Sequence, residues 1–291
     1  MMSRRKLHQA SASPANFPTP RSEISGCLQR PDVRPRALLV ALHGGGYGSA
    51  YWDFVETSLL GRAAARGYLA AAVDRPGYGA AFSSPMSLTD QVDLLYDLFA
   101  TLRLDEGDLP IHLAGHSMGG ILALMTAADP RSGQIKAIDV CGVPLVYDEA
   151  TAAALDARKP SSGQTHYPAL GRDHVRARFY GADGSFSPRA LEFDAAISSM
   201  VPVLELVDAA QAPRTLPQTM QRIALPVRMT FAGEESSSVA DEAVCVAATT
   251  YLAQNPHSRV RIEPGCGHNI SLHHLGGVFH DSMLDWFDIV G

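Results

Sequence analysis

The sequence lacks the features that mark several classes of protein. Its four cysteines lie far apart with no C-x-x-C pair, which argues against a disulfide framework or a zinc site. No run of apolar residues approaches the roughly 18 needed for a transmembrane helix. Acidic residues (30) outnumber basic ones (24), so the charge balance favours neither nucleic acid nor an anionic membrane as a partner.

No targeting segment is expected either. Residues 3–6 (Ser-Arg-Arg-Lys) faintly resemble a twin-arginine signal, but the residues that follow are Gln, Ser, Ala and Pro instead of an apolar stretch. We therefore expect residues 1–30 to be a disordered tail and the protein to be cytoplasmic. Neither a metal nor an organic cofactor is expected. The sequence does not determine the oligomeric state, and a homo-oligomer is one of the possibilities.

Short apolar runs do recur along the 291 residues, separated by helical patterns, which is typical of a mostly parallel sheet flanked by helices. The predicted strands are Ala37–Leu42, Tyr68–Val73, Ile111–Ala114, Lys136–Cys141, Pro226–Phe231 and Arg259–Ile262. Helices are predicted over 88–102 with Ser87 and Asp90 spaced for capping, over 239–252 with Ser238 as N-cap, and over 277–290.

One long segment interrupts this alternation. Residues 145–222 contain no good strand pattern but several helical pieces, and six prolines punctuate them. Because the segment starts and ends between two predicted strands, we interpret it as a helical cap inserted into a core of residues 31–144 and 223–291. Apolar cap residues are expected to line a pocket: Phe179, Phe186, Phe193, Met200 and Leu204.

The pentapeptide Gly115-His116-Ser117-Met118-Gly119 lies between a predicted strand and a helix of small residues. Glycines on either side relieve crowding at a tight turn, and the helix points its positive end at Ser117. A G-x-S-x-G pattern alone is weak evidence, since a shuffled chain of this composition contains one roughly one time in six. Its context has to support the interpretation.

Two glycine-rich loops supply that context. His43-Gly44-Gly45-Gly46 follows the first predicted strand, and glycines there leave backbone N–H groups free to face a ligand. Gly265-Cys266-Gly267-His268 follows the last predicted strand, and of the eleven histidines only His268 has this position. His116 is interpreted as a neighbour of the serine that is not a base, and His273, His274 and His280 as surface or pocket-lining residues.

In chain order, the glycine loop, Asp74-Arg75-Pro76-Gly77-Tyr78-Gly79, the Ser117 turn and Gly267-His268 resemble the α/β-hydrolase superfamily, in its serine esterase, lipase and thioesterase-like branch. The resemblance covers about residues 36–291. It implies that Ser117 is the nucleophile and His268 the general base, with an oxyanion hole formed by the N–H groups of Met118 and of Gly45 or Gly46. It implies a structural turn at 74–79.

The carboxylate of the implied triad is ambiguous. The family usually has a Gly-x-x-Asp after the strand that follows the cap, whereas here Gly233 is followed by Glu234, Glu235 and then Ser236 at the expected position. Serine cannot supply the charge that orients the imidazole. Glu235 and Glu234 are the first candidates and Asp148, after the preceding strand, is a third.

The function expected from these residues is hydrolysis of a carboxylic ester or thioester of a small to medium apolar acyl compound, through an acyl-enzyme on Ser117. The same fold also hosts lyases, C–C hydrolases and acyltransferases. A ligand-binding protein that kept the fold without turnover is a further alternative, and the irregular acid position is the observation behind it.

Overall fold

A computed structural model describes residues 12–104 and 106–291, and its centre is an eight-stranded sheet in the order β1-β2-β4-β3-β5-β6-β9-β10. Six strands of this sheet run parallel: β4, β3, β5, β6, β9 and β10. At one edge, β2 pairs antiparallel with β4, and β1 pairs antiparallel with β2. The strands are β1 (Ser13–Pro18), β2 (Glu23–Gln29), β3 (Ala37–Leu42), β4 (Tyr68–Val73), β5 (Ile111–His116), β6 (Ile135–Cys141), β9 (Val227–Ala232) and β10 (Arg259–Glu263), with a separate pair β7 (His166–Tyr167) and β8 (Val201–Pro202).

The helices are α1 (Leu59–Ala65), α2 (Leu88–Arg103), α3 (Met118–Ala127), α4 (Glu149–Ala157), α5 (Arg172–Phe179), α6 (Pro188–Ile197), α7 (Val203–Met220), α8 (Glu242–Tyr251) and α9 (Gly276–Val290). The predicted cap of α2 is confirmed, because Ser87 Oγ accepts the Asp90 N–H at 3.1 Å. The predicted cap of α8 is wrong. Asp241, not Ser238, caps this helix by accepting the Val244 N–H at 2.9 Å.

Helices cover both faces of the sheet, and the strands β3 and β4 inside it consist of apolar residues and one tyrosine. Along β3, Leu38, Val40 and Leu42 face the layer of α2, α3, α7 and α8, while Ala37, Leu39 and Ala41 face α1 and α9. All six residues are buried. The predicted fold class, a mostly parallel sheet between helices, is therefore confirmed.

The predicted disordered tail is wrong for residues 13–29, which form β1 and β2. Phe17 pairs with Ile24 across these strands, and both side chains are buried against the sheet. A short turn closes the hairpin, in which the Thr19 N–H donates to the Ser22 carbonyl oxygen at 3.0 Å. The prolines at 14 and 18 are tolerated because β1 is an edge strand. Residues 1–11 of the predicted tail lie outside the described residues.

The segment between β6 and β9 contains α4, α5, α6, α7 and the β7–β8 pair. Its last helix, α7, packs on α2, α3 and α8, and Ala212, Leu216 and Met220 belong to the same buried cluster as the sheet. Of the earlier helices, α4 and α5 contribute residues to the cavity beside the turn between β5 and α3 that is described below. Within residues 12–104 and 106–291, no helix combines the length and hydrophobicity that crossing a membrane requires.

Candidate active site

Ser117 lies in the sharp turn between β5 and α3. Its φ is 53° and its ψ is −118°, and it is the one residue other than glycine with a positive φ in the described part of the chain. Its N–H donates to the Cys141 carbonyl oxygen of β6 at 2.8 Å. Such backbone conformations cost a non-glycine residue about 1–3 kcal/mol and concentrate at functional sites. The strand, turn and helix predicted around Ser117 are all present.

The two outer glycines of the pentapeptide are required by close packing. A Cβ at Gly115 would lie 2.6 Å from the Gly119 carbonyl oxygen, and a Cβ at Gly119 would lie 2.2 Å from the carbonyl oxygen of Leu42. Any side chain at either position would therefore force β3, β5 and α3 apart. Their close approach also brings Ser117 beside the glycine loop that follows β3.

His268 follows β10, and Glu235 holds its ring. His268 Nδ1 is 2.7 Å from Glu235 Oε2, and the two side chains are 8% and 1% exposed. Because a carboxylate can only accept, Nδ1 carries the proton and Nε2 is left with its lone pair in the neutral ring. Ser117 and His268 line the same cavity, and Phe179 packs on the His268 ring with centroids 5.0 Å apart.

Glu235 is held as a carboxylate by its surroundings. Its Oε1 accepts hydrogen bonds from the N–H groups of Ser236 and Ser237 at 3.1 and 3.0 Å, and from the Ser237 hydroxyl at 2.6 Å. Burial acts to raise the pKa of Glu235, but the charge and hydrogen bond of His268 and the Ser237 donors outweigh it and lower the pKa to about 2. Glu235 therefore carries its charge at neutral pH.

The other two acid candidates are bound elsewhere. The carboxylate of Glu234 accepts the backbone N–H of Ala182 in the insertion. Asp148 caps α4 by accepting the N–H groups of Ala150 and Thr151, and it forms an ion pair with Arg178 at 2.6 Å. Of the three carboxylates considered from the sequence, the structure brings only Glu235 to His268.

Of the predicted oxyanion-hole donors, Gly45 and Met118 line the cavity beside Ser117. Their backbone N–H groups make no hydrogen bond to another described residue, which leaves both donors open to a ligand. The alternative, Gly46, does not suit this role, because its N–H donates to the Tyr78 hydroxyl at 3.2 Å. A tyrosine distant in sequence thus engages the Gly46 N–H and leaves that of Gly45 without a partner among the described residues.

His116 is buried beneath the serine turn. Its Nε2 donates to the His268 carbonyl oxygen at 3.0 Å, and its ring stacks on Tyr51 with centroids 4.6 Å apart. Burial and then the nearby His268 lower the pKa of His116 well below its ordinary value, so the ring is neutral. His116 thereby supports the backbone of the His268 loop.

Sequence reasoning missed Asp194, a buried residue on α6. Its carboxylate accepts hydrogen bonds from four side chains: Tyr47, Tyr180, Asn269 and Arg172. The first of these follows the glycine loop and the third follows His268, so one carboxylate of the insertion ties together two loops of the site. Nothing local in the sequence marks Asp194, because its four partners lie in three separate segments.

Glu205, on α7, was missed for the same reason. It forms a fully buried ion pair with Arg75, whose Nε donates to the His43 carbonyl oxygen at 3.0 Å. The Tyr78 hydroxyl donates to Glu205 Oε2 at 3.0 Å while accepting the Gly46 N–H. The predicted structural turn at 74–79 is therefore linked, through one buried carboxylate, to the glycine loop.

The end of α5 is hydrogen-bonded to the loops that carry Glu235 and His268. The Ser236 hydroxyl donates to the Arg178 carbonyl oxygen at 2.8 Å, and the Asn269 N–H donates to the Phe179 carbonyl oxygen at 3.0 Å. The Glu234 carboxylate, bound to the Ala182 N–H, is a third connection. This part of the insertion is therefore fixed to the site.

The cavity at Ser117 has a volume of about 340 Å³. Of the five insertion residues predicted to line it, Phe179 does. Phe186 and Phe193 pack instead on Tyr180 and Phe54, and Met200 and Leu204 are exposed. Within the described residues, no group of three or more His, Cys, Asp or Glu side chains is arranged to hold a metal ion.

Two of the three C-terminal histidines are neither surface nor cavity residues. His273 is buried and its Nε2 accepts the Gly267 N–H at 3.1 Å, while its Nδ1 donates to the Asn269 carbonyl oxygen at 2.9 Å. His280 is buried and bound to the Thr57 carbonyl oxygen at 2.7 Å. Only His274 is exposed, as predicted. His273 thus braces the loop that carries His268.

A sequence profile described as the alpha/beta hydrolase family matches residues 39–280, a span that includes Ser117, Glu235 and His268. The chain belongs to this family. Monoglyceride lipases of Homo sapiens and Mus musculus are each 31% identical to it over 103 residues, which is 34% of this chain and 33% of theirs. The match thus spans about a third of the length of these relatives.

Solved structures share the fold over nearly the whole chain. A thermostable carboxyl esterase from Bacillus coagulans superposes with a TM-score of 0.72 at 15% identity, covering 97% of this chain and 99% of that one. A monoglyceride lipase from Saccharomyces cerevisiae superposes with a TM-score of 0.71 at 13% identity, covering 99% and 98%. At such low identity these likenesses show the fold.

Proposed function

We propose that the protein hydrolyses carboxylic esters or thioesters of small to medium apolar acyl groups through an acyl-enzyme on Ser117. The observation that carries the proposal is the shared cavity: the strained Ser117, the His268 ring bound to Glu235 and the open N–H groups of Gly45 and Met118 all border it. The names of the relatives, carboxyl esterase and monoglyceride lipase, support ester chemistry.

In the first half of the reaction, Ser117 Oγ attacks the acyl carbonyl carbon while His268 Nε2 takes the hydroxyl proton. Glu235 Oε2 keeps its hydrogen bond to Nδ1–H and stabilises the imidazolium. The carbonyl oxygen becomes an oxyanion that accepts the N–H groups of Gly45 and Met118, each contributing about 3–4 kcal/mol to transition-state stabilisation.

Collapse of the tetrahedral intermediate completes this first half: the bond to the leaving group breaks, and His268 returns its proton to the departing alcohol or thiol. Water then attacks the acyl-enzyme with His268 as base, and Ser117 is regenerated with its proton as the acid leaves. Every proton transfer passes through His268 Nε2, the nitrogen that Glu235 leaves unprotonated.

The alternative of a binding protein without turnover depended on an irregular acid position. The contact between Glu235 and His268 supplies that acid from one position earlier than usual, and this supports an active enzyme. Lyase, C–C hydrolase and acyltransferase chemistries would use the same serine and histidine. No feature of the cavity favours them over hydrolysis.

A fluorophosphonate reaction tests the proposal directly. The reagent is expected to modify Ser117 within minutes, with the labelled peptide located by mass spectrometry, and to block hydrolysis of 4-nitrophenyl butyrate. Ser117→Ala should abolish both labelling and turnover, while the matched exposed variant Ser161→Ala keeps both. Wild-type turnover by Ser117→Ala would falsify the acyl-enzyme mechanism.

A further inference from the structure

The charged groups on the cavity wall are unevenly distributed. The core side of the wall contributes Ser117, His268, the uncharged polar side chains of Tyr47, His116 and Ser237, and apolar or backbone groups. The insertion contributes two guanidinium groups and an imidazole, those of Arg158, Arg178 and His174. Among the described residues that line the cavity, none is an aspartate or a glutamate. The site therefore carries positive charge on one side and no negative charge facing it.

The two arginines differ in how their charge is balanced. Arg178 is paired with Asp148 at 2.6 Å and donates to the Thr151 hydroxyl at 2.7 Å, so it is largely neutralised by its own surroundings. Arg158 has no carboxylate partner among the described residues. Its guanidinium lies 5.4 Å from the centre of the Tyr167 ring, a cation–π contact that orients the group without neutralising it.

The wall around these charges is mostly apolar. It contains Met118, Ile121, Leu155, Val201, Leu206 and Ala209. A volume of about 340 Å³ lies at the lower end of the range for small-molecule sites, about 300–1,000 Å³. A short aliphatic chain fits such a wall, and an anion at the far end of that chain meets an unneutralised guanidinium.

We propose that the preferred substrates are half-esters or half-thioesters of aliphatic dicarboxylic acids, whose free carboxylate is bound by Arg158. This rests on the proposed function of Ser117. The ester carbonyl lies at Ser117, the methylene chain runs along the apolar wall, and the distal carboxylate accepts charge-assisted hydrogen bonds from the guanidinium.

The test compares two substrates of almost identical shape: monomethyl adipate, which ends in a carboxylate, and the methyl ester of adipic acid monoamide, which ends in a neutral amide. Methanol release gives kcat/KM for both. We expect monomethyl adipate to be preferred by about tenfold or more, since hydrogen bonds to charged groups are the stronger ones. Equal kcat/KM values for the two esters would overturn the proposal.

Arg158→Gln locates the effect, and Lys159→Gln is the matched control, because Lys159 is exposed like Arg158 but does not line the cavity. Arg158→Gln should remove the preference for the carboxylate ester, because kcat/KM for that ester falls much more than kcat/KM for the amide ester. Lys159→Gln should leave the preference intact. Equal losses with both variants would mean that general surface charge, not Arg158, attracts the anion.

A third measurement separates this proposal from the one on which it rests. If the enzyme cleaves 4-nitrophenyl butyrate but neither methyl ester, the two methyl esters are compared as competitive inhibitors, and a lower inhibition constant for monomethyl adipate that is lost in Arg158→Gln supports the subsite. Equal inhibition constants overturn it. If the fluorophosphonate does not label Ser117 and no ester is cleaved, the proposed function itself fails.

Discussion

The Asp194 carboxylate accepts a hydrogen bond from the side-chain amide of Asn269 at 3.0 Å, one residue beyond His268. The same oxygen accepts the hydroxyl of Tyr47 at 2.9 Å, one residue beyond Gly46. The relative placement of the histidine loop and the glycine loop is thereby fixed through a residue of the insertion. The geometry of the candidate active site depends on the insertion as well as on the sheet.

Asp194→Asn is expected to lower kcat about tenfold with little change in KM, because a carboxamide has one acceptor oxygen and no charge where the carboxylate accepts from four side chains. Its nitrogen would face at least one of those donors, and the contacts that join the two loops would weaken. Unfolding free energy should fall by about 1–3 kcal/mol for the same reason. Steady-state kinetics and urea unfolding measure both. The exposed Asp183→Asn is the control, and a variant that loses stability at unchanged kcat would assign Asp194 a purely structural role.

Glu235→Gln and Glu234→Gln separate the two adjacent glutamates. Glu235→Gln removes the charge that stabilises the His268 imidazolium and should lower kcat roughly 10³-fold, whereas Glu234→Gln keeps an acceptor for the Ala182 N–H and should lower it by less than about threefold. Turnover of 4-nitrophenyl butyrate measures both. Similar losses in the two variants would contradict the assignment of Glu235 as the acid.

Low pH should decrease the free energy of unfolding of the wild-type protein, because Glu235 becomes protonated. Its pKa is about 2 in the folded chain against an ordinary 4.5, so its contribution to stability is complete above pH 4.5 and is lost as the pH falls towards 2. At about 1.4 kcal/mol per pKa unit, this contribution is roughly 3 kcal/mol. Urea unfolding of wild type and Glu235→Gln should show their stability difference narrowing below pH 4.5, and parallel pH profiles would contradict this.

Ser117→Gly should stabilise the fold while abolishing activity. A φ of 53° with a ψ of −118° strains any residue that has a Cβ, and glycine relieves that strain at a smaller entropic cost. Ser117→Ala is the matched control, because it also lacks the hydroxyl but keeps the Cβ. We expect Ser117→Gly to be about 1 kcal/mol more stable than Ser117→Ala in thermal or urea unfolding. Equal stabilities would mean that the turn is unstrained.

Much of the fold followed from local patterns. The buried strands β3 and β4 were predicted with the bounds that the structure has, because parallel strands covered on both faces are continuous apolar runs. The antiparallel strands β1 and β2 were not predicted, since they present only alternate residues such as Phe17 and Ile24 to the core and contain proline and glycine. Half-buried strands of this composition resemble loops until their pairing is known.

The residues of the candidate site also fall into those that local sequence predicts and those that it does not. Ser117 and His268 stand on glycine-rich turns next to strands, so local sequence identifies them as candidates. The choice of Glu235 over Glu234 depends on which side of the loop faces His268, and the exclusion of Gly46 depends on Tyr78. Asp194 and Glu205 act only through contacts with distant segments. Long-range contacts of this kind leave no pattern in a single sequence.

The β1–β2 hairpin has a practical consequence for any shortened version of the chain. A protein that began at residue 31 would leave β4 with bare amide and carbonyl groups along Ala70–Val73, where β2 now pairs. An unpaired strand of small apolar residues is a template for joining another copy edge to edge. Removing residues 1–30 would therefore replace β1, an edge strand with prolines at 14 and 18, by an edge strand without proline, and we expect insolubility before any loss of activity.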